Sequence, residues 1–343
     1  MLLVRTDATK AIGAGHVMRC AAIAQEARAR AMDVLFLVST EESAKIVADQ
    51  GFESLLVGGD PSLFLRVDAM NVARVVKETG GCALIIDSYA VTNGFFAQLR
   101  ETLTPEAVKV AYVDDAFTFK EGFSETPAPI EADVVINYGF DFTPDQYEEI
   151  YADLGTRLCI GPSYTPVRRP FSAITYETGE TVENILITCG MANPRSIQEK
   201  LVRACKEACP TAHIDVIVGG NAPFDAGEFS NLEVHRQVKD LVPFMQKADV
   251  ALSASGLTLY ELTAAGIPTI AIPTASNQMG HALGFQNLNL GPSIPIQPLD
   301  LPVLCERLFD LCESPALRKA YSKRMKQTVD GFGASRILDE IAG

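Results

Sequence analysis

Residues 2–20, LLVRTDATKAIGAGHVMRC, run from a short apolar strand through a loop with glycines at 13 and 15 into a segment of helical period. A strand feeding a glycine-bearing turn and then a helix is the opening unit of an α/β sheet, because the helix carries the chain back and the next strand lies parallel to the first. Working outward, LLVR (2–5), VLFLVS (34–39), SLLVG (54–58), ALIID (83–87), VKVAYVD (108–114) and VVINY (134–138) all have strand length. Their near-continuous apolar character is that of strands buried on both faces, and helical stretches such as 15–31 and 67–79 lie between most of them.

The pattern pauses at residues 160–182, IGPSYTPVRRPFSAITYETGETV, which hold three prolines and two glycines and show no clear period. It restarts with NILITCG (184–190), HIDVIVGG (213–220), LEVH (232–235), VALSAS (250–255) and PTIAIP (268–273), with helices predicted at 196–208, 240–248 and 257–265. The predicted fold class is α/β, with two doubly wound, Rossmann-like domains facing across a cleft. The first domain is expected at 1–165, a linker at 166–182 and the second domain at 183–320. The stretch 314–342 reads as two helices broken near Gly331-Phe332-Gly333, and by analogy the terminal segment 321–343 is expected to pack back on the first domain. Ligands of such sheets bind beyond the carboxyl ends of the strands at the switch point, so the cleft is the expected site.

The 343 residues suit about two domains of roughly 150 each. Apolar residues make up 48% and charged residues 21%, enough for a substantial core. A formal net charge of −14 argues against non-specific nucleic-acid binding, which needs a broad basic surface. The longest apolar runs, such as GIPTIAIP (266–273), fall short of the roughly 20 residues of a spanning helix, so membrane insertion is not expected. Met1 leads into the first strand without a basic stretch or cleavage site, and the eight cysteines form no C-x-x-C pair. The expectation is a reducing, cytoplasmic setting. Cys205 and Cys209, four apart on a predicted helix, read as packed thiols rather than metal ligands.

Two stretches carry candidate chemistry. In the first, Gly13, Ala14 and Gly15 precede a helix whose opening N–H groups are unpaired, a turn that can cradle a phosphate or simply turn tightly. Met18 stands where a dinucleotide fingerprint has its third glycine. His16, one of four histidines, falls at the first turn of that helix, where an imidazole can act as a general base or serve as a packed or capping residue. Asp7 either orients that ring, as acidic partners do in catalytic triads, or caps the turn. In the second stretch, Ser253 to Leu262 (SASGLTLYEL), a strand ends in small residues and a helix begins with hydroxyls that can bind an anion. Glu261, about a turn later, either accepts two ribose hydroxyls or is an exposed residue of a capped helix. His213 opens a predicted strand, His235 lies within one, and His281 is expected at an exposed position of a predicted helix.

Taken in order, R-x-D-x4-IGxGH-x2-R, IIDSY, VDD, INY, GPSYxxxRxxF and SGxTLYE, from Arg5 to about Gln278, resemble the UDP-2,4-diacetamido-2,4,6-trideoxy-β-L-altropyranose hydrolases of pseudaminic acid biosynthesis. They also resemble the related SpsG-like spore-coat polysaccharide proteins and, more distantly, the N-acetylglucosaminyl transferase that makes lipid II, with its two-domain glycosyltransferase-B fold. The resemblance implies that His16 is the catalytic base and that Gly13, Ala14 and Gly15 form the loop beside the sugar and pyrophosphate. Arg19 closes the same motif and is counted with the substrate-binding residues. Tyr89 matches a tyrosine lining the sugar pocket, although Ser88 stands where some relatives have histidine. Tyr164 and Arg168 match the inter-domain segment that contacts the nucleotide sugar. Ser255, Gly256 and Thr258 match the diphosphate turn, and Glu261 the uridine-ribose ligand. The loop after the first strand of the second domain reads Gly190-Met191-Ala192-Asn193-Pro194, with Met191 for a glycine and Asn193 for an aspartate. Ala275-Ser276-Asn277-Gln278 replaces the usual A-D-N-Q, and Gly190, Asn193, Asn277 and Gln278 are carried over as substrate contacts.

The implied reaction is removal of a proton from water by His16, attack at the anomeric carbon with inversion, and departure of UDP, its charge met by the Gly256–Thr258 helix terminus and Arg168. The scheme needs no metal and no cofactor. Asp114-Asp115, the nearest acidic pair, reads first as structural or as a substrate-hydroxyl ligand. A glycosyltransferase on the same scaffold, a non-catalytic nucleotide-sugar sensor and, ranked lower, a 2-epimerase are the competing readings. The expected partner is a small UDP-sugar; the oligomeric state is open.

Overall fold

The computed structural model describes residues 1–8, 13–59, 66–103, 108–114, 129–189, 195–219, 224, 231–296 and 299–342. The chain forms two compact units, one from Met1–Arg168 together with the segment from Phe332 onward, the other from Arg169–Gly331.

The first unit is built on strands β1 (Leu2–Thr6), β2 (Val34–Val38), β3 (Glu53–Leu56), β4 (Ala83–Asp87), β5 (Lys109–Val113), β6 (Val134–Asn137) and β7 (Arg157–Ile160). They lie in the order β3-β2-β1-β4-β5-β6-β7, and every adjacent pair is parallel. The helices are α1 (Gly15–Ala29), α2 (Glu41–Asp49), α3 (Arg66–Thr79), α4 (Asn93–Thr102) and α5 (Asp145–Tyr151). Leu3, Leu37, Leu84, Ile86 and Val110 pack with Ala69, Val72 and Val76 of α3 and Phe95, Phe96 and Leu99 of α4 in one core. The opposite face of the sheet is covered by α1. Burial on both sides is why β1 and β4 read as unbroken apolar runs. The edge strand β7 is an addition to the sequence-based strand set: Arg157 is exposed and only Cys159 and Ile160 are buried, too short a pattern to show a period.

The second unit contains α6 (Arg169–Ser172), β8 (Asn184–Thr188), α7 (Arg195–Ala208), β9 (His213–Val218), β10 (Leu232–Arg236), α8 (Val242–Met245), β11 (Val250–Ala254), α9 (Leu257–Ala265), β12 (Thr269–Ile272), α10 (Met279–Asn287), α11 (Leu301–Glu313) and α12 (Pro315–Thr328). Its sheet, β10-β9-β8-β11-β12, is also wholly parallel. Helices α7 and α11 pack over one face, while α9 lies against β11 and β12 and against α6 and α12. The helix expected at 240–248 is a single turn, α8. Arg318 is wholly buried and donates to the carbonyls of Leu311 (2.6 Å), Cys312 (2.9 Å) and Gly179 (2.6 Å), closing the end of α11 with a cation whose partners are backbone dipoles.

The last helix, α13 (Gly333–Ala342), belongs to the first unit. Ala334, Ile337, Leu338 and Ile341 recur at helical spacing, and the helix packs on α1, β5, β6 and the short turn Pro162–Tyr164. Its first residue has to be glycine, since a Cβ at Gly333 would lie 2.2 Å from the Thr165 carbonyl oxygen. Gly333→Ala is expected to destabilise the protein by about 1–3 kcal/mol through overpacking. A denaturant midpoint that falls with unchanged slope supports this docking, and an unchanged midpoint refutes it.

Candidate active site

In each sheet the chain works outward in both directions from its first strand, so the switch points lie between β1 and β4 and between β8 and β11. At the first of these, Thr6 and Asp87, the terminal residues of β1 and β4, are register partners. Ahead of α1, Gly13 has a φ of +73°, a left-handed conformation suited to glycine. Helix α1 then starts at Gly15 behind Ala14, with no side-chain cap, whereas α2, α4, α11 and α12 are capped by Thr40, Thr92, Asp300 and Ser314.

His16, only 3% exposed, therefore sits in an uncapped first turn directly over the end of β4. Its Nδ1 is 2.6 Å from Asp87 Oδ1. Arg19, three residues on and on the same helix face, grips the same carboxylate with Nε to Oδ2 at 2.6 Å and Nη2 to Oδ1 at 2.5 Å, and donates from Nη1 to the Tyr138 hydroxyl at 3.0 Å. Tyr89 sets its ring edge-on to the imidazole, centroids 4.6 Å apart, and is itself 42% exposed. Burial pushes the Asp87 carboxyl up, but the Arg19 guanidinium and then the His16 ring outweigh it and hold the group well below the usual carboxylate range. Burial, followed by the Asp87 charge, pushes the neighbouring Cys20 thiol well up, so it stays protonated.

The proton on His16 follows from this geometry. Arg19 Nη2 also approaches Nδ1, at 2.8 Å, and its second hydrogen is free to point there only if Nδ1 is bare. A bare Nδ1 lone pair 2.6 Å from an ionised oxygen would be repelled, which favours the tautomer in which Nδ1 donates to Asp87. Among the described residues Nε2 has no hydrogen-bond partner.

The alternative that Asp7 orients His16 is corrected. Asp7 pairs with Arg5 at 2.5 Å and accepts from the Ser39 amide at 2.7 Å and the Ser43 hydroxyl at 3.0 Å, while Arg5 reaches on to Asp68 at 3.2 Å. This buried network joins the carboxyl ends of β1 and β2 to α2 and α3, and Asp87 takes the place beside the imidazole. Asp87 and Tyr138 are the residues that sequence reasoning missed. The signal was present, because an apolar run ending in an acid at a carboxyl edge, IIDSY, belongs to the strand next to β1 in a doubly wound sheet. Tyr164 lies in the turn that α13 covers, where Arg336 bonds the Ser163 carbonyl at 2.7 Å, and Arg168 Nη1 lies 3.5 Å from Gln50 Oε1. Asp114 accepts from the buried Tyr147 hydroxyl at 3.1 Å, and Asp115 lies outside the described residues.

At the second switch point β11 ends at Ala254 and α9 begins behind Gly256, again with no side-chain cap. Ser255 is wholly buried, and among the described residues its hydroxyl has no hydrogen-bond partner. Gln278 Oε1 accepts from the amides of Ser255 at 3.2 Å and Thr274 at 2.9 Å, tying this turn to the one after β12. Thr258 is half-buried in the opening turn and Asn277 is exposed. Glu261 is 4% exposed, so the exposed-residue alternative is ruled out. His281 is likewise not a free surface residue: it is half-buried, and its Nδ1 meets the hydroxyl of buried Tyr260 at 2.8 Å. Gly190 and Asn193 lie outside the described residues.

No protein-family model matches the chain. It is 25% identical over 224 residues, 60% of its length, to the spore coat polysaccharide biosynthesis protein SpsG of Bacillus subtilis. It is also 25% identical over 238 residues, 68% of its length, to a Helicobacter pylori protein described as pseudaminic acid cytidylyltransferase and UDP-2,4-diacetamido-2,4,6-trideoxy-beta-L-altropyranose hydrolase. The matched segments span 63% of the first relative and 42% of the second. Among solved structures, the glycotransferase of kitacinnamycin superposes over 99% of both chains with a TM-score of 0.68 and 16% identity, a likeness of fold. In sequence the chain is thus similar to the SpsG protein and to the UDP-diacetamido-trideoxy-sugar hydrolase protein, and in architecture it has the two-unit parallel-sheet fold of the glycosyltransferase-B structures.

Proposed function

We propose that the protein is an enzyme that uses a nucleotide sugar, and that it hydrolyses a UDP-diacetamido-trideoxy sugar in the assembly of a nonulosonic acid or surface polysaccharide. The observation that carries this reading is the buried His16, whose Nδ1 lies 2.6 Å from Asp87 Oδ1 and whose Nε2 has no hydrogen-bond partner among the described residues; in this reading Nδ1 donates to Asp87 and Nε2 keeps its lone pair. In the proposed step Nε2 takes a proton from water, a bond forms from the water oxygen to the anomeric carbon, and the bond from that carbon to the diphosphate oxygen breaks. The electron pair leaves with UDP and the configuration inverts. Asp87 holds the tautomer and balances the imidazolium charge as it forms, as the carboxylate of a catalytic triad does. Arg19, with Asp87 and Tyr138 as partners, is a positioning residue in this reading. The sugar is assigned to the Gly13–Gly15 turn and Tyr89, with Tyr164 and Arg168 also assigned to the substrate. The diphosphate is assigned to Ser255, Gly256 and Thr258 with the Gly190–Asn193 loop, Asn277 and Gln278 beside it, and the ribose to Glu261.

Support for the second assignment comes from the uncapped start of α9 and the unpartnered Ser255 hydroxyl, both suited to an anion. In a chain of net charge −14, local donors of this kind are what make an anionic substrate bindable. A second reading, favoured by the likeness to the kitacinnamycin glycotransferase, puts an acceptor hydroxyl in place of water with the same base.

His16→Gln is expected to slow nucleotide release from a UDP-diacetamido sugar by about 10²–10⁴-fold, the scale of general-base removal. Near-normal turnover by the folded variant rejects the assignment. Reaction in ¹⁸O-water without an acceptor is expected to place the label in the sugar. Label in UDP overturns carbon attack, and turnover only on addition of an acceptor decides for the transferase.

Because the Asp87 pKa is lowered in the folded state, its contribution to stability is present above the unfolded carboxyl pKa of about 3.9 and is lost as pH falls below it. Asp87→Asn is expected to lower the unfolding free energy at pH 7 by about 3–5 kcal/mol, leaving Arg19 buried without a counter-charge, and to flatten the acid limb of the stability curve. A variant with the wild-type acid limb contradicts this account of the carboxylate.

A further inference from the structure

Away from both switch points, the second sheet carries a cluster that the nucleotide-sugar reading does not use. Ile214, Val216 and Val218 of β9, with Leu232 and Val234 of β10, face the core under α7 and α11. Alternate residues of the same strands share the other face, and among these are His213, Asp215 and Ile217 of β9 and Glu233 and His235 of β10. The register sets Glu233 directly beside Asp215. Like charges placed opposite each other on one sheet face repel. Among the described residues neither carboxylate has a lysine or arginine partner: Asp215 Oδ1 lies 2.6 Å from His235 Nε2 and 3.4 Å from His213 Nε2, and Glu233 Oε1 lies 4.0 Å from His235 Nδ1. Asp215 is buried, so water relieves its charge poorly. Two imidazoles neutralise two carboxylates only if both are protonated, whereas one divalent cation does so with the rings neutral.

We propose that this face holds a divalent transition-metal ion of the zinc class, bound by His213, Asp215 and Glu233. The three side chains already bring one ligand atom each within 4.8 Å of the others. One imidazole nitrogen and two carboxylate oxygens form a donor set suited to zinc, while magnesium and calcium favour oxygen alone. Glu233 is exposed and His213 half-exposed, which leaves the ion reachable and a fourth position open to water. His235 is a positioning residue: it donates from Nε2 to Asp215, and its ring is backed by Phe244 with centroids 4.6 Å apart. The ion would pin β10, the edge strand, to β9. His213 opens β9 at its amino end, whereas the anion turn at Ser255 lies past the carboxyl end of β11, so occupancy is independent of the proposed chemistry.

The test is calorimetric titration of the chelator-treated full chain with Zn²⁺, with Mg²⁺ as comparator, alongside thermal unfolding. One saturable Zn²⁺ site per chain that raises the unfolding temperature is expected, with no such effect of Mg²⁺. Both His213→Gln and Glu233→Gln alter accessible side chains, and each is expected to weaken Zn²⁺ by at least about tenfold. His235→Leu should weaken binding and His235→Gln, which keeps a donor, should restore it; equal affinities in these two proteins overturn the positioning role. Absence of saturable Zn²⁺ binding, equal binding of Mg²⁺, or a loss below tenfold in both ligand variants, as when thiols elsewhere hold the ion, overturns the site.

Discussion

The Asp87 carboxylate, 1% exposed and gripped by Arg19 and His16, is the contact around which the first unit's candidate site is organised. A charge so placed is tolerated only when its hydrogen-bonding capacity is filled, because an uncompensated buried ion costs several kcal/mol. Arg19 fills both oxygens at once, and its bidentate grip fixes the rotation of α1 on the end of β4. With that rotation set, His16 has one nitrogen assigned and one left over. The structural role and the proposed chemical one are thus joined in a single side chain.

Both units use the same device at their switch points. A strand end meets a helix that starts without a side-chain cap, at Ala14 in one unit and Gly256 in the other. Thr40, Thr92, Asp300 and Ser314 occupy the opening amides of α2, α4, α11 and α12, while α5, α8 and α10 are also uncapped. Uncapped amides are a cost in a helix that only packs, and an asset in one that meets an anion. The second unit adds a buried Ser255 hydroxyl and a Gln278 carbonyl that braces the turn. The proposed nucleotide-sugar chemistry divides along these lines, with proton transfer assigned to the first unit and phosphate charge to the second.

Substitution within the first unit's polar networks is constrained in different ways. Asp7 and Asp68 share Arg5, and burial, partly offset by that guanidinium, holds the Asp68 carboxyl above its usual range. Asp87 shares its oxygens with a cation and an imidazole and is shifted the opposite way. Asp68 on α3 and Asp87 at the end of β4, both buried, are therefore shifted in opposite directions, because Asp68 shares its guanidinium with Asp7 whereas Asp87 is met by both Arg19 and His16.

By itself the sequence determined the two parallel-sheet units, the turn at 13–15 with His16 behind it, and the SGLTLYE turn, because buried strands and strand-to-helix turns leave local patterns of composition and spacing. It did not show the four-residue edge strand at 157–160, whose buried residues Cys159 and Ile160 are adjacent and show no alternation, nor that Asp87 rather than Asp7 meets His16. Asp7 is nearer in the chain, but partner choice at a strand end depends on which strands are neighbours and on how α1 is rotated. Those are properties of the assembled sheet, in which residues 71 positions apart come within hydrogen-bond distance. The same holds for His213, Asp215, Glu233 and His235: each reads alone as an ordinary strand residue, and only parallel register places them on one face.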